Sequence, residues 1–390
     1  MKIAIITSGR LPVPATKGGA VETKLDYTLD YNAEHHVHDI TVYSVKPDKP
    51  VDKNTAENHY IHYDMQTLWA KIGRKVYSWV NREAYYDNEI EFFLWRCMRD
   101  IRRRHYDCII LANRPGYILS LKKVTQTPVV IQINNDYLQP ATRKARDIKE
   151  AARLVITCSD YLNSRASQVV SSTQTPVVTV HNGIDIGRFV HAKAADRSVL
   201  GLTKDDFVVF FSGRLTREKG IVELIRAVRS LHGIPRLRLV IAGASFYGKD
   251  RAATPFMQEI QQEAEAIRDQ VVFTGFVDYQ QMPSYLKMAD VIVVPSMWEE
   301  PFGLTVLEAM AAGVPLIATR CGGIPEICEG CAQLISRDDA EHHIAEAIQH
   351  VYDHPEEART MARRAVERSW DFDKDTFSEK YLQALNIVNT

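Results

Sequence analysis

Short apolar runs alternate along this chain with polar segments that are long enough to form helices. In the first half of the chain the runs are Lys2–Thr7, Asp39–Val45, Cys108–Ala112, Pro128–Ile133 and Leu154–Thr157. This alternation predicts parallel strands buried on both faces of a sheet, because helices connect such strands and cover them. The pattern starts again at Phe207–Ser212, Leu237–Ala242, Val271–Thr274, Val291–Pro295 and Pro315–Thr319. We therefore expect an α/β chain with two doubly wound, Rossmann-like domains in series.

The length of the chain also favours two domains. Its 390 residues exceed the size at which a single hydrophobic core usually keeps growing. The join is expected near His181–Asp185, where Asn182-Gly183 supplies turn conformations after an apolar run. We predict a first domain over 1–182, a second over 183–369 and a final helical segment over 370–390. The segment 370–390 could pack against the first domain, although periodicity alone does not place it.

Charge, hydropathy and cysteine content exclude several classes of protein. A net charge of -1 argues against nucleic-acid binding, which normally needs a concentrated basic surface. Because no run of about 18 apolar residues and no signal sequence is found, we expect a cytoplasmic protein, at most one lying on the inner face of a membrane. Six scattered cysteines fit a reducing compartment. Cys328 and Cys331 have metal or redox spacing, but without a second such pair we interpret them as small residues beside a turn.

Loops that follow the strands are the candidate sites, because ligands of open α/β sheets bind beyond the carboxyl ends of the strands. Gly18 and Gly19 lie in the first such loop, and adjacent glycines let backbone N–H groups approach an anion. Glycines before a helix are also common turn residues. Arg214 and Lys219 bracket the loop after the run at 207–212. Their charges suit a diphosphate, and the alternative is a solvated helix start.

A second loop in the second domain carries two glutamates at a predicted helix entrance. It contains Glu300, Gly303 and Glu308, and it follows the run that ends at Pro295. Gly303 frees the backbone to lie against a ligand, and the first N–H groups of the helix are available to it. Carboxylates at this entrance can accept hydrogen bonds from sugar hydroxyls, which a phosphate site alone would not need.

These motifs together resemble those of the retaining GT-B glycosyltransferases of family 4, also called glycosyl transferases group 1. The family signature is a glutamate, seven residues and a second glutamate, which occurs here from Glu300 to Glu308. The resemblance covers essentially the whole chain through further motifs at Gly18-Gly19, Asn182–Asp185, Gly213-Arg214, Lys219-Gly220, Glu308–Met310, Gly313–Pro315 and Gly322–Glu326. It implies the GT-B fold, in which two Rossmann-like domains face a cleft.

The resemblance also implies how the donor nucleotide is bound. Arg214 and Lys219 would hold the diphosphate, and Glu308 would accept hydrogen bonds from the ribose hydroxyls. The nucleobase would meet Phe276 and Val277, partly through backbone groups. The nucleotide is expected to be UDP, with GDP and ADP left open.

Further implied contacts concern the transferred sugar. Its hydroxyls would be held by Glu300 together with the backbone N–H groups of Phe302, Gly303 and Leu304. Gly18-Gly19 would approach the phosphates from the first domain. Transfer would retain the anomeric configuration, and the leaving diphosphate would take the acceptor proton while the two cations stabilise its charge. No metal and no cofactor are expected, since the family needs none.

One departure from the family concerns the first domain. Family members often carry a histidine near the anomeric centre, where this chain has Asn113 and Arg114. Either side chain could contact the sugar or phosphate, but neither is a credible general base. Asp136 occupies the sugar-facing loop of the family and is predicted either to contact the donor sugar or acceptor, or to cap the next helix.

The segment Gln66–Arg82 predicts an amphipathic helix. Its apolar residues at helical spacing are interleaved with basic ones, in the set Leu68, Trp69, Lys71, Ile72, Arg74, Lys75, Val76, Trp79, Val80 and Arg82. Such a helix can lie on an anionic membrane. The alternative is a surface helix with its apolar face buried in the first domain.

The expected function is transfer of a sugar from a UDP-hexose or UDP-N-acetylhexosamine to a hydroxyl of a cell-surface glycan or lipid-linked acceptor. Two enzymes on the same architecture are alternatives, a sugar-nucleotide epimerase and a phosphorylase, and the Glu300 to Glu308 motif speaks against both. A catalytically silent scaffold that binds sugar nucleotides is the alternative from another class, and a turnover assay separates it.

Overall fold

The computed structural model describes residues 1–80, 84–243 and 255–389. The chain divides into two compact units. One consists of Met1–Gly183 with Lys374–Thr390, and the other of Ile184–Asp373. Each unit is built around a parallel sheet, which confirms the predicted α/β architecture.

A seven-stranded sheet lies at the centre of the first unit. Its strands are β1 (Lys2–Ile6), β2 (Asp39–Val45), β3 (Asn58–Tyr63), β4 (Cys108–Ala112), β5 (Val129–Ile133), β6 (Leu154–Thr157) and β7 (Val177–Thr179). The order across the sheet is β3-β2-β1-β4-β5-β6-β7, and all pairs are parallel. β4, β5 and β6 are buried along their whole length, as continuous apolar runs predict.

A six-stranded sheet lies at the centre of the second unit. Its strands are β8 (Phe207–Ser212), β9 (Leu237–Ala242), β10 (Val271–Gly275), β11 (Val291–Val294), β12 (Leu316–Thr319) and β13 (Gln333–Ile335). They are parallel in the order β10-β9-β8-β11-β12-β13. The chain therefore leaves β8 on one side and returns on the other with β11. This creates a topological switch point between those strands, the usual ligand position in such sheets.

Two edge strands, β3 and β13, are not predicted by the apolar runs. In β3 only Asn58 and Tyr63 are buried, and the residues between them are partly or largely exposed. β13 contributes only one fully buried residue, Ile335. An edge strand has a neighbour on one side alone and is incompletely covered, so it needs no continuous apolar run.

Helices surround both sheets. In chain order they are α1 (Ala20–His35), α2 (Leu68–Val80), α3 (Asn88–Ile101), α4 (Ile118–Leu121), α5 (Ala145–Ala151), α6 (Asp160–Ser167), α7 (Ile186–Val190), α8 (Ile221–Ser230), α9 (Pro255–Glu265), α10 (Met282–Lys287), α11 (Leu304–Ala312), α12 (Ile324–Cys328), α13 (Ala340–Asp353), α14 (Pro355–Ser369) and α15 (Lys374–Ala384). Short 3₁₀ turns lie at Pro115–Tyr117, Arg197–Leu200, Arg217–Lys219, Trp370–Phe372 and Leu385–Asn389. Across the described ranges, no helix is both long and apolar enough to cross a membrane.

The C-terminal helix α15 belongs to the core of the first unit. Phe377 and Tyr381 share one apolar cluster with Leu25 and Leu29 of α1 and with the central strands. The Tyr381 hydroxyl donates a hydrogen bond to the side-chain oxygen of Gln132, at 3.2 Å. Burial of these aromatic rings fixes the last helix against the sheet of the first unit.

Helix α2 exposes most of its apolar residues. Leu68, Trp69, Ile72, Val76 and Trp79 are all exposed, and Ala70 is buried. The interpretation of α2 as a surface helix with a buried apolar face is therefore wrong for these five residues, because the helix contacts the unit through its small residues instead. Arg82 of the predicted segment lies outside the described residues.

Cys328 and Cys331 flank the turn at the end of α12. Both thiols are free and buried. Each donates a weak hydrogen bond to a backbone carbonyl, that of Ile324 for Cys328 and that of Cys328 for Cys331, both at 3.3 Å. Burial raises the pKa of both thiols, which lowers their reactivity.

Candidate functional site

The loops after β8 and β11 meet at the switch point of the second unit. The backbone N–H of Met297 donates to the carbonyl of Glu218 at 2.8 Å, which ties the two loops together. Gly220 permits this close approach. Its φ is +69°, and a Cβ on it would lie 1.8 Å from the carbonyl oxygen of Pro295. The local backbone therefore requires glycine directly after Lys219.

Lys219 and Glu300 form an ion pair across these two loops. The Glu300 side chain is 8% exposed and that of Lys219 is 18% exposed, so the pair is largely shielded from water. The Ser296 hydroxyl donates to the same carboxylate oxygen, Oε1, at 2.8 Å. The Lys219 ammonium also lies 5.5 Å from the centre of the Trp298 ring. The structure thus brings together Lys219 and Glu300, which are far apart in sequence and were predicted from separate motifs.

Replacing Ser296 by alanine tests how much this hydroxyl supports the pair. We expect Ser296→Ala to lower the free energy of unfolding of the second unit by about 1.5 kcal/mol, because a buried bond to a carboxylate is lost. Urea denaturation measures it. The control is Ser230→Ala, whose hydroxyl donates to the carbonyl of Ala227 at 2.8 Å. An effect no larger than that of the control would contradict the assignment.

The backbone around Glu300 is held from the loop after β12. The N–H of Gly323 donates to the Glu300 carbonyl at 2.8 Å, and the N–H of Gly322 donates to Glu299 Oε2 at 2.7 Å. Glu299 also pairs with Arg337. Three consecutive loops along the sheet edge therefore fix the position of Glu300. The Glu299 carboxylate is itself part of this support, because it accepts from Gly322 and pairs with Arg337.

Helix α11 begins at Leu304, directly after Gly303. Its first N–H groups have no acceptor within the helix and carry partial positive charge, which suits oxygen atoms of a ligand. Phe302 is buried and its ring meets that of Phe372 edge to face, with centroids 5.9 Å apart. This packing anchors the loop that delivers the helix entrance.

Glu308 lies within α11, and its side chain is held by residues that the motifs did not reveal. The Tyr279 hydroxyl donates a hydrogen bond to the Glu308 carboxylate, and the positive charge of the Arg188 guanidinium attracts that carboxylate. Arg188 in turn donates to the carbonyl of Tyr279 and stacks 4.5 Å above its ring. Burial outweighs these contacts and raises the pKa of Glu308 to about 7. The carboxyl group is thus poised to change charge near neutrality.

The other predicted donor residues lie at the same edge of the sheet. Arg214 follows β8 and is exposed, and its side chain forms no ion pair with a described residue. Phe276 and Val277 follow β10. Phe276 is 61% exposed, whereas Val277 is buried. An aromatic face and an exposed guanidinium are therefore presented to solvent where the strands end.

The first unit has its own switch point, between β1 and β4. Asn113 lies there with a φ of +58°, and its side-chain oxygen accepts a hydrogen bond from the N–H of Asn134 at 3.0 Å. The Arg114 guanidinium donates to the carbonyl of Ser8 at 3.3 Å. Both residues thus organise loops at the edge of the first sheet. Gly18 and Gly19 directly precede α1 in the loop after β1.

A buried polar cluster behind Gly19 was not predicted. Lys24 is 2% exposed and donates to the side-chain oxygens of Asn134 and Asn182. Burial lowers its pKa to about 8. Glu22 accepts a hydrogen bond from the Ser8 hydroxyl at 3.1 Å, and burial raises its pKa. A buried lysine inside a helix has no distinguishing sequence signal, because its partners come from other loops.

Asp136 pairs with Arg165, at 3.4 Å. The alternative that Asp136 caps the next helix is wrong. That helix, α5, begins only at Ala145, and Lys144 occupies its cap position. The carboxylate instead connects the loop after β5 to α6.

Two units with parallel sheets, each with a switch point, are the elements expected of the GT-B fold. The solved structure of HepE from Anabaena, in complex with UDP and glucose, matches this chain with a TM-score of 0.74 over 99% of both chains, at 20% identity. The predicted GT-B fold is thereby confirmed.

Sequence comparisons find relatives that match over most of the chain. The putative glycosyltransferase YtcC of Bacillus subtilis is 26% identical, over 95% of this chain and 89% of YtcC. Spore coat protein SA of the same organism is also 26% identical, over 84% of this chain and 83% of that protein. Residues 192–368 match the family described as glycosyl transferases group 1. The resemblance predicted from the motifs is confirmed over this segment, which lies in the second unit.

Proposed function

We propose that this chain is a retaining, metal-independent hexosyltransferase. The donor is a UDP-hexose or a UDP-N-acetylhexosamine. The acceptor is a hydroxyl of a cell-surface glycan or of a lipid-linked glycan at the inner face of a membrane. The observation that carries the proposal is the shielded pair of Lys219 and Glu300 beside the entrance of α11, the helix that also holds Glu308.

The two cations of the loop after β8 are assigned to the donor diphosphate. Lys219 supplies a charge whose position is fixed by Glu300. Arg214 supplies a solvent-exposed guanidinium, which can bind phosphate oxygens in bidentate fashion. Together they stabilise the charge that develops on the diphosphate as its bond to the sugar breaks. We assign the acceptor proton to the leaving diphosphate itself.

The two glutamates are assigned to hydroxyl groups. Glu300 and the backbone N–H groups of Phe302, Gly303 and Leu304 hold the transferred sugar, and Glu308 accepts from the ribose. We assign Phe276, which is exposed directly after β10, to contact with the nucleobase, together with Val277 and partly through backbone groups. UDP is the proposed nucleotide because HepE, which shares the fold, was solved with UDP-glucose.

A binding titration tests the donor site. UDP, GDP and ADP are titrated calorimetrically into the parent protein and into Arg214→Ala and Glu308→Ala. We expect UDP to bind most tightly, and each variant to bind it about tenfold more weakly, because each loses one charged or hydrogen-bonding contact. Arg217→Ala is the matched control, since Arg217 lies in the same loop and pairs with Glu259.

The outcomes separate the proposal from its alternatives. If no nucleotide binds, or if Arg214→Ala and Glu308→Ala bind as the parent does, the donor site is wrongly assigned. If UDP binds but no UDP-sugar is consumed with a panel of glycan acceptors, the chain is a silent scaffold. Proton NMR of the product gives its anomeric configuration. Activity in the presence of EDTA tests metal independence.

A further inference from the structure

The exposed face of α2 is an unusual surface for a protein in water. Trp69 and Trp79 are 80% and 75% exposed, and Leu68 is 70% exposed. Val76 and Ile72 extend the same apolar surface. Contiguous apolar surface of this kind commonly marks an interaction site. Tryptophan is enriched at boundaries between apolar and aqueous surroundings, because its ring is apolar and its N–H group is polar.

Helix α2 is nevertheless firmly docked on the first unit. Ala70 is buried, and a Cβ on Gly73 would lie 2.8 Å from the Phe92 ring, so α2 and α3 touch closely at this point. Tyr77 packs against Phe92 and Trp95, with ring centroids 6.0 and 6.1 Å away. The small residues and Tyr77 therefore form the inner face. Trp69 and Trp79 are exposed because they lie away from the inner face through which the helix is packed.

A groove runs between α2 and α3. Its volume is about 580 Å³, and its walls include Trp69, Tyr77, Phe92 and Trp95. Arg96 and Arg99 also line it. Arg99 lies over the Trp95 ring at 5.0 Å, and Arg96 lies over Tyr63 at 4.5 Å. The groove thus combines aromatic walls with two guanidinium groups.

The charge around this surface is basic. Lys71 and Lys75 are exposed on α2, whose sequence contains no acidic residue. Residues 66–104 hold nine basic and five acidic residues, whereas the whole chain has a net charge of -1. This stretch of the sequence therefore carries a basic excess, part of which is offset by the pair of Arg74 with Glu89. A second copy of this face would set lysines against lysines, so self-association by a twofold interface is disfavoured.

We propose that the exposed face of α2 and the adjoining groove dock on an anionic lipid bilayer. Trp69 and Trp79 enter the interfacial layer, and Lys71 and Lys75 meet lipid phosphates. The groove takes an acyl chain between its aromatic walls while Arg96 and Arg99 hold a headgroup phosphate. This docking is a property of the first unit and stands without the proposed sugar transfer.

Vesicle flotation tests the docking. The full chain is mixed with phosphatidylcholine vesicles, or with vesicles that also contain phosphatidylglycerol. We expect the parent to float only with the anionic vesicles, and less so as salt rises. Trp69→Ser/Trp79→Ser is expected to lower the partition coefficient by at least about tenfold, because two aromatic anchors are lost. Lys71→Glu/Lys75→Glu should lower it similarly at low salt.

Matched variants in the second unit serve as controls. Trp370→Ser removes another exposed tryptophan, and Lys193→Glu/Lys204→Glu reverses two exposed lysines. Both should float as the parent does, and unchanged thermal melting of every variant shows that it is folded. The proposal is overturned if the parent ignores anionic vesicles, if it binds neutral vesicles equally, or if the α2 variants float unchanged. A parent dimer that the tryptophan variant splits, with vesicle binding unaffected, assigns the face to self-association instead.

Discussion

Replacing Lys219 by alanine is expected to lower kcat by about 10²- to 10³-fold, the usual cost of removing one preorganised charge from a transition state. The Lys219 ammonium is fixed by Glu300 before any donor arrives, so it needs no reorganisation as the diphosphate leaves. The same change leaves the shielded Glu300 carboxylate without its cation. Steady-state kinetics with sugar donors of the nucleotide that binds most tightly measures kcat and KM separately.

Two further variants show whether the loss arises from the charge. Arg217→Ala removes a cation two residues away that pairs with Glu259, and it should keep nearly full activity. Lys219→Arg retains the charge but not the compact ammonium, so it should recover part of the rate. A Lys219→Ala enzyme within about threefold of the parent in kcat would contradict the proposed role, which requires a transition-state effect.

Replacing Glu308 by glutamine is expected to stabilise the second unit above pH 7. Burial raises the pKa of Glu308 from 4.5 to about 7 in the folded chain. Between these values the folded state holds a proton that the unfolded state has released, so parent stability falls as pH rises. The full loss is about 3 kcal/mol. Glutamine cannot ionise, so the Glu308→Gln variant does not lose this stability as pH rises.

Urea denaturation of parent and Glu308→Gln between pH 5 and pH 8.5 measures this difference. The difference in the free energy of unfolding should be small at pH 5 and should reach most of its full value by pH 8. Glu263→Gln is the control, because Arg226 and Arg229 lower the pKa of Glu263. That carboxylate stabilises the fold over the whole range, so its loss should cost a constant amount. A Glu308→Gln difference that does not grow with pH would refute the raised pKa.

This expected gain in stability has a functional meaning. A carboxyl group that costs stability when charged, yet lies at the proposed ribose position, is typical of a residue retained for binding. Tyr279 and Arg188 reduce the cost without removing it. The same Glu308→Gln variant is expected to bind UDP more weakly while unfolding less readily at alkaline pH.

Much of the architecture was predictable from hydrophobic pattern. Strands buried on both faces are mostly apolar, so β4, β5, β6 and their counterparts in the second unit stand out in the sequence. The edge strands β3 and β13 do not, since water reaches one side of them. Helix α2 has an amphipathic pattern, but the pattern does not tell which of its faces packs.

The sequence by itself determined the resemblance to glycosyl transferases group 1, the two sheets and the loops that carry Arg214, Lys219, Glu300 and Glu308, because short motifs and apolar runs are local features of the chain. Only the tertiary structure decided that Ser296 and Lys219 share the Glu300 carboxylate, and that Tyr279 and Arg188 hold Glu308. Apart from the bond between Ser296 and Glu300, these contacts join residues far apart in sequence. Their strength depends on burial, which sets desolvation and so the pKa of Glu308. Burial is a property of the packed chain and not of any segment within it.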